Sequence, residues 1–163
     1  NFFFLPIYYD PAILFMKQAK GQIADDAIYY GCDGLDGIDS AAGFDIATVP
    51  QEISMLSHFN SKATEGKAKE FIDKYTDKYG KETLNQFGAS AYDCVYAIYN
   101  AMQAAGDKIN VDMSASEICN VLSAEFTGGF TFSGATGTNI KWNSQGFVEK
   151  QAVRYTIKEA DKK

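Results

Sequence analysis

Histidine is almost missing from this sequence: of 163 residues, only His58 is one. A single imidazole cannot build a zinc site unaided, and no serine or cysteine pattern partners it, so His58 is expected to be structural or solvent-facing. Cysteine is also scarce. Cys32, Cys94 and Cys119 are widely spaced with no CxxC pair, so at most one disulfide could form. They are expected as three buried or half-buried thiols acting as small hydrophobes. No apolar run is long enough to cross a membrane or to serve as a secretory leader. Catalytic signatures are absent too: there is no GxSxG, P-loop, HExxH or dinucleotide fingerprint. Positive charge is the last shortage. Fifteen Lys and Arg face 21 Asp and Glu, a net charge of −6, with an isoelectric point near 4.7. Such a surface repels phosphate backbones and anionic lipid heads, so no nucleic-acid partner is expected.

What is present is a globular composition, 46% hydrophobic and 22% charged, at a length that suits one domain of ordinary size. Asn1–Leu5 (NFFFL) is an apolar run with no polar lead-in and reads as a buried central strand. Such a start predicts a fragment whose neighbouring strands lie upstream of this sequence; the polar EADKK at the other end reads as a natural terminus. Pro11 suits the first turn of a helix bearing Ala12, Phe15, Met16 and Ala19 on one face. Ala27–Tyr30 is a second strand, followed by the loop GCDGLDG, which completes a βαβ unit. Ile38–Gln51 reads as one short helix and a turn near Pro50, and Glu52–Phe59 as a strand.

Three helices are expected next. The first runs from about Thr64 to Tyr79, with Ala68, Phe71, Ile72, Tyr75 and Tyr79 on one face and a Gly80 cap. The second, Gln86–Ala105, carries Phe87, Ala91, Cys94, Val95, Ile98 and Met102 on one stripe. A Ser114/Glu117 capping box opens the third, through about Glu125. Beyond Thr127, glycines punctuate β-formers, and Thr138–Trp142 and Gln151–Lys158 read as strands joined by the turn NSQG. The alternation specifies an α/β protein with a mostly parallel sheet flanked by helices.

Ligands of such sheets bind beyond the carboxyl ends of the strands, which singles out Pro6–Asp10 and Cys32–Gly37. Tyr8 and Tyr9 would offer aromatic faces and hydroxyls there, and Asp33 a carboxylate able to pair with an ammonium. The same residues could equally be strand-end packing and a turn cap beside Gly34, and the residues alone leave both open. Other acidic clusters read as structural. Asp25–Asp26 is a solvated turn, and the DGLDGID segment lacks the closing acid of a calcium loop, Phe44 standing at that position. The glycines of TGGFTFSGATG read as strand-end turns.

FFFLPIYYDPAILFMKQAK, GCDGLDG, AKEFIDKYTDKYGKE, FGASAYDCVYAIYNAMQAAG and TGGFTFSGATGTNIKWNSQG together resemble the C-terminal half of type I periplasmic binding proteins. The branched-chain amino-acid (Leu/Ile/Val) family of ABC transporters is the most similar. The resemblance implies two α/β lobes joined by crossing strands and closing on a solute. Residues 1–54 would belong to lobe two, 55–146 to lobe one, and 147–163 would return to lobe two. Tyr8 matches the family's lobe-two tyrosine, with Tyr9 beside it, and Asp33 matches the acid of the G-x-[DE]-G loop that holds the α-ammonium.

The resemblance further implies no enzyme activity, no cofactor, an amino-acid-like solute, an ABC permease partner and an extracytoplasmic location, periplasmic or as a cell-surface lipoprotein. A fragment of such a protein would be expected to dimerise or exchange strands. A sensory receptor domain of the same fold, an amide- or urea-like solute, and a small α/β hydrolase are the alternatives.

Overall fold

The computed structural model describes residues 1–160; Asp161, Lys162 and Lys163, the end of the polar tail, lie outside the described residues. In chain order the elements are β1 (Phe2–Leu5), α1 (Tyr9–Ala19), β2 (Ile28–Gly31), β3 (Glu52–Ser57), α2 (Gly66–Tyr79), α3 (Gln86–Ala105), α4 (Ala115–Thr127), β4 (Phe132–Gly134), β5 (Gly137–Trp142), β6 (Val148–Glu149) and β7 (Val153–Lys158). They form two compact units: Asn1–Ser57 with the segment from Ala152 onward, and His58–Gln151.

The first unit is a four-stranded sheet in the order β1-β2-β3-β7, with β1, β2 and β3 parallel and β7 antiparallel to β3. Alternation along the strands decides its faces. Leu5, Tyr29, Ile53 and Met55 turn to one side, where Ala12, Ile13 and Met16 of α1 cover them and complete a buried core. Phe3, Phe15 and Tyr29 meet there with ring centroids 5.9–6.2 Å apart. Burial pushes the Tyr29 phenol above its ordinary pKa. The opposite face is open: Phe2 is 61% and Phe4 57% exposed. On it, Arg154 of β7 pairs with Glu52 and lies over the Tyr30 ring.

Residues 38–51 depart from the expected single helix. Two separate 3-10 turns, Ile38–Ser40 and Ile46–Thr48, take its place. Gly37 (φ +89°) and Gly43 (φ +71°) adopt left-handed backbone that breaks helical continuation. Asp45 caps the second turn by accepting from the Ala47 N–H at 3.0 Å.

In the second unit the helices start and stop where their caps say. Asn85 accepts from the Gly88 N–H at 2.9 Å to open α3, and Gly80 (φ +82°) ends α2. Phe71 anchors α2 against Phe59 and Tyr92, with ring centroids 5.7 and 5.0 Å away. Tyr79, expected on the same face, is 58% exposed. The capping box of α4 is formed: Ser114 N–H and Oγ both bond Glu117 at 2.7 Å. Those bonds to Ser114, side chain first, hold the Glu117 carboxyl below its usual range.

Two expectations change at the chain's end. Thr138–Trp142 and Gln151–Lys158 are not hairpin partners. Asn143–Gly146 instead joins β5 to the short β6, with Asn143 Oδ1 accepting from the Gln145 and Phe147 N–H groups at 3.0 Å. β4, not anticipated as a strand, pairs with β5 on its other side. The last strand, β7, belongs to the first unit's sheet.

Replacing Ser114 by alanine is expected to cost about 1 kcal/mol, the usual worth of an N-cap, read as a lower denaturation midpoint. Because the folded Glu117 pKa is depressed, its stabilising contribution holds above the ordinary glutamate range and fades as pH falls through the folded value. Helicity lost on acidification should therefore be smaller in Ser114→Ala than in the parent.

Candidate functional site

β1 and β2 run parallel with Leu5 beside Gly31, so their carboxyl ends deliver the next residues side by side. A glycine sets how close those residues come. A Cβ on Gly34 would lie 2.6 Å from the Ile7 carbonyl oxygen and 3.2 Å from the Tyr8 Cα. No larger residue allows this approach. Gly31 plays the companion part, since a Cβ there would collide with the Leu35 side chain, which is fully buried. The loop after β2 is thus pinned by Leu35 from below and pressed through Gly34 against the loop after β1.

On this platform Tyr8 has extended backbone (φ −73°, ψ 162°) just before α1, its carbonyl accepting from the Ala12 N–H at 3.1 Å. Tyr8 is 67% exposed. Asp33 opens a 3-10 turn, Asp33–Leu35, and its side chain is exposed. Tyr9 is placed differently: it is half-buried and packs against the core beneath α1. The geometry thus sets the Tyr8 and Asp33 positions on neighbouring strand-end loops, while Tyr9 packs into the core.

A cleft of about 250 Å³ lies elsewhere in this unit, bounded by the last turn of α1 (Met16, Lys17, Lys20) and by Phe44, Val49 and Gln51. Its polar groups already serve the fold. Lys17 donates to the Gly43 carbonyl at 3.1 Å, and Gln51 to those of Ile23 and Ala24 at 3.2–3.3 Å.

The second unit holds a polar cluster that sequence reasoning missed. Asp93 of α3 is only 5% exposed. Its Oδ1 accepts from the Ala135 N–H at 2.8 Å, and its Oδ2 from the Thr136 N–H at 2.7 Å and the Thr136 hydroxyl at 2.6 Å. Lys150 Nζ donates to the same hydroxyl at 3.0 Å. Desolvation lowers the Lys150 pKa, and the Asp93 charge opposes the shift. A side chain on Gly134 would strike Asp93. A hydroxyl between a carboxylate and a lysine invites a catalytic reading, but Thr136 is 2% exposed and its proton is committed to Asp93. The cluster bolts the β4–β5 turn to α3. Its signal was an aspartate at helical spacing between Ala89 and Ala97.

His58 follows β3, and its Nδ1 lies 3.1 Å from the Gln151 carbonyl oxygen. Cys94 and Cys119 are exposed and Cys32 half-buried, all as free thiols, so the expected burial of the thiols does not hold for the first two. Each of those two lies on the outward side of its helix. Among the described residues, no group of three or more His, Cys, Asp or Glu is placed to hold a metal ion. No helix among them is long and apolar enough to cross a membrane.

No protein-family model and no curated protein sequence matches the chain. Solved structures do. A leucine-binding protein, LivK, from Thermotoga maritima is 23% identical with a TM-score of 0.72, the match covering 96% of this chain and 41% of that one. LivJ from Streptococcus pneumoniae, a branched-chain amino-acid transporter substrate-binding protein solved with isoleucine, is 27% identical at a TM-score of 0.61, covering 96% and 44%. An ABC-transporter substrate-binding protein from Desulfitobacterium hafniense, in complex with Leu, is 13% identical at 0.68, covering 97% and 41%. This chain therefore spans less than half the length of each of these proteins. Over that span it has the mixed α/β fold of the type I solute-binding proteins, and the structures it resembles are those of the branched-chain amino-acid substrate-binding proteins of ABC transporters.

Proposed function

We propose that this chain supplies one side of an amino-acid clamp in an extracytoplasmic solute-binding protein serving an ABC transporter. The observation that carries the reading is the close approach at Gly34, which brings the Tyr8 and Asp33 loops together at the carboxyl ends of two parallel strands. Asp33 pairs with the α-ammonium of the solute and Tyr8 packs on or hydrogen-bonds it, with Tyr9 behind it. The α-carboxylate is held by groups from the rest of a two-lobe protein. The first unit is then the core of lobe two, reached again by β7, and the second unit is part of lobe one. Closure is driven by the solute's higher affinity for the closed form, and the closed shape is what a permease reads. The protein's work is binding, not catalysis.

The test is calorimetric titration of a two-lobe protein containing this sequence with leucine, isoleucine, valine and a wider amino-acid panel. Asp33→Ala should weaken binding by about 2–5 kcal/mol, roughly 30-fold or more, because closure leaves an ammonium without its partner. Equal binding by the variant would reduce Asp33 to a turn residue. A solute tolerant of Asp33→Asn would carry no ammonium, and the amide- or urea-like class would replace the amino acids.

A further inference from the structure

The chain passes between its two units twice, at Ser57–His58 and at Gln151–Ala152. On the first unit's side the two passages are paired by backbone. β3 and β7 run antiparallel, and their ladder ends with Ser57 opposite Val153. Past that rung the chain bends at His58, and residues 150–152 have no regular structure.

Side chains take over on the second unit's side. His58 Nδ1 lies 3.1 Å from the Gln151 carbonyl oxygen. A carbonyl oxygen only accepts, so Nδ1 is the protonated nitrogen and donates. One residue before Gln151, Lys150 Nζ donates to the Thr136 hydroxyl at 3.0 Å, and that hydroxyl donates to Asp93 of α3 at 2.6 Å. One residue after His58, Phe59 is 3% exposed and meets Phe71 of α2 edge-on at a centroid distance of 5.7 Å. The incoming passage is therefore fastened to α2 through Phe59, and the outgoing one to α3 through Lys150. The imidazole fastens the passages to each other. Both of its partners in that bond belong to the second unit, so the bond survives any movement of one unit against the other.

A joint works by letting a few backbone torsions at the ends of elements absorb the change. These fastenings leave one peptide step in each passage for it, Ser57–His58 and Gln151–Ala152. We propose that His58 is the positioning residue of this joint. By holding Gln151 it makes the two passages turn together, which narrows the open ensemble that a solute must close. The proposal rests on the two-lobe reading above. Untied, the passages flex separately, the open form gains conformations, and closure has more entropy to give up. Solute affinity then falls with the Tyr8 and Asp33 loops unchanged.

The test uses a two-lobe protein containing this sequence, its native cysteines replaced by serine. Spin labels go on cysteines placed at Lys20 and Lys74, exposed positions of the first and second unit. Pulsed dipolar spectroscopy then reads the spread of distances between them. In the unliganded protein His58→Ala should widen that spread, and calorimetry should show affinity for the amino-acid solute lower by about 3- to 10-fold, the worth of one hydrogen bond. His58→Asn should keep the parent spread and affinity, because its amide nitrogen stands where Nδ1 does and still donates. A parent-like spread in His58→Ala, or a wider one with parent affinity, would overturn the proposal. So would His58→Asn behaving as His58→Ala, which would make the ring's packing and not its bond the agent. The spread is read without solute, so failure of the amino-acid reading would leave the widening in His58→Ala intact.

Discussion

Asp93→Ala is expected to cost about 3–5 kcal/mol, the largest effect of any single substitution in the second unit. The carboxylate answers two backbone N–H groups and a hydroxyl in a space closed to water. Alanine leaves those donors buried without partners, and each orphaned group carries a desolvation penalty of about 1–3 kcal/mol. Lys150, partly desolvated, loses at the same time the nearby negative charge that favours its protonated form. Trp142, the only tryptophan, packs on Phe126 at a centroid distance of 4.6 Å in the same unit, so its fluorescence reports unfolding there. Urea titration of parent and variant checks the prediction. Thr136→Val should cost less, about 1.5–3 kcal/mol, because Asp93 keeps its backbone donors. A loss under 1 kcal/mol for Asp93→Ala would mean that the β4–β5 turn holds its place by packing alone.

Gly34→Ala tests the binding platform. Its Cβ would meet the Ile7 carbonyl oxygen at 2.6 Å, and the obstacle is backbone, which cannot swing aside as a side chain can. The two loops must separate, at an overpacking cost of about 1–3 kcal/mol. Solute affinity of a two-lobe protein should fall by about tenfold or more, because a misplacement near 1 Å is expensive for groups that must converge on one ligand. Gly37→Ala is the control. Gly37 sits at φ +89° with nothing within 4 Å of its would-be Cβ, so alanine there strains the backbone by about 1–2 kcal/mol without moving Tyr8. Thermal melts should show both variants destabilised, while calorimetry should show only Gly34→Ala losing affinity. Equal affinity loss in both would tie binding to general stability and not to the approach of the two loops.

The contrast between α3 and α4 shows where local sequence is sufficient. Ser114 and Glu117 announce the start of α4 because a capping box is satisfied within a few residues. Asn85 and Gly106 bound α3 in the same way. The βαβ start was legible as strand, helix and strand, with α1 repeating its apolar residues at helical spacing. But β1, expected as a buried central strand, is here an edge strand with Phe2 and Phe4 exposed, because no strand among the described residues pairs on its other side. The strand-end loops bearing Tyr8 and Asp33 were legible because each follows a strand of the parallel pair β1–β2, and the role given to those two side chains is the proposal made above. The bolt at Asp93 was not legible, since its partners lie 42 and 43 residues away.

The sequence by itself therefore determined the helices, the parallel strands, their caps and the loops that follow them, all of which follow from periodicity and hydrogen bonds between near neighbours. Tertiary structure alone decided which face of α3 turns inward, because both faces are apolar and only the small residues let β4 and α4 approach closely. It alone sent the last strand to β3 and not to β5, since strand pairing is a contest between distant segments that no local pattern encodes. And it alone made Gly34 the closest point between two loops, a role visible only once β1 and β2 lie in register.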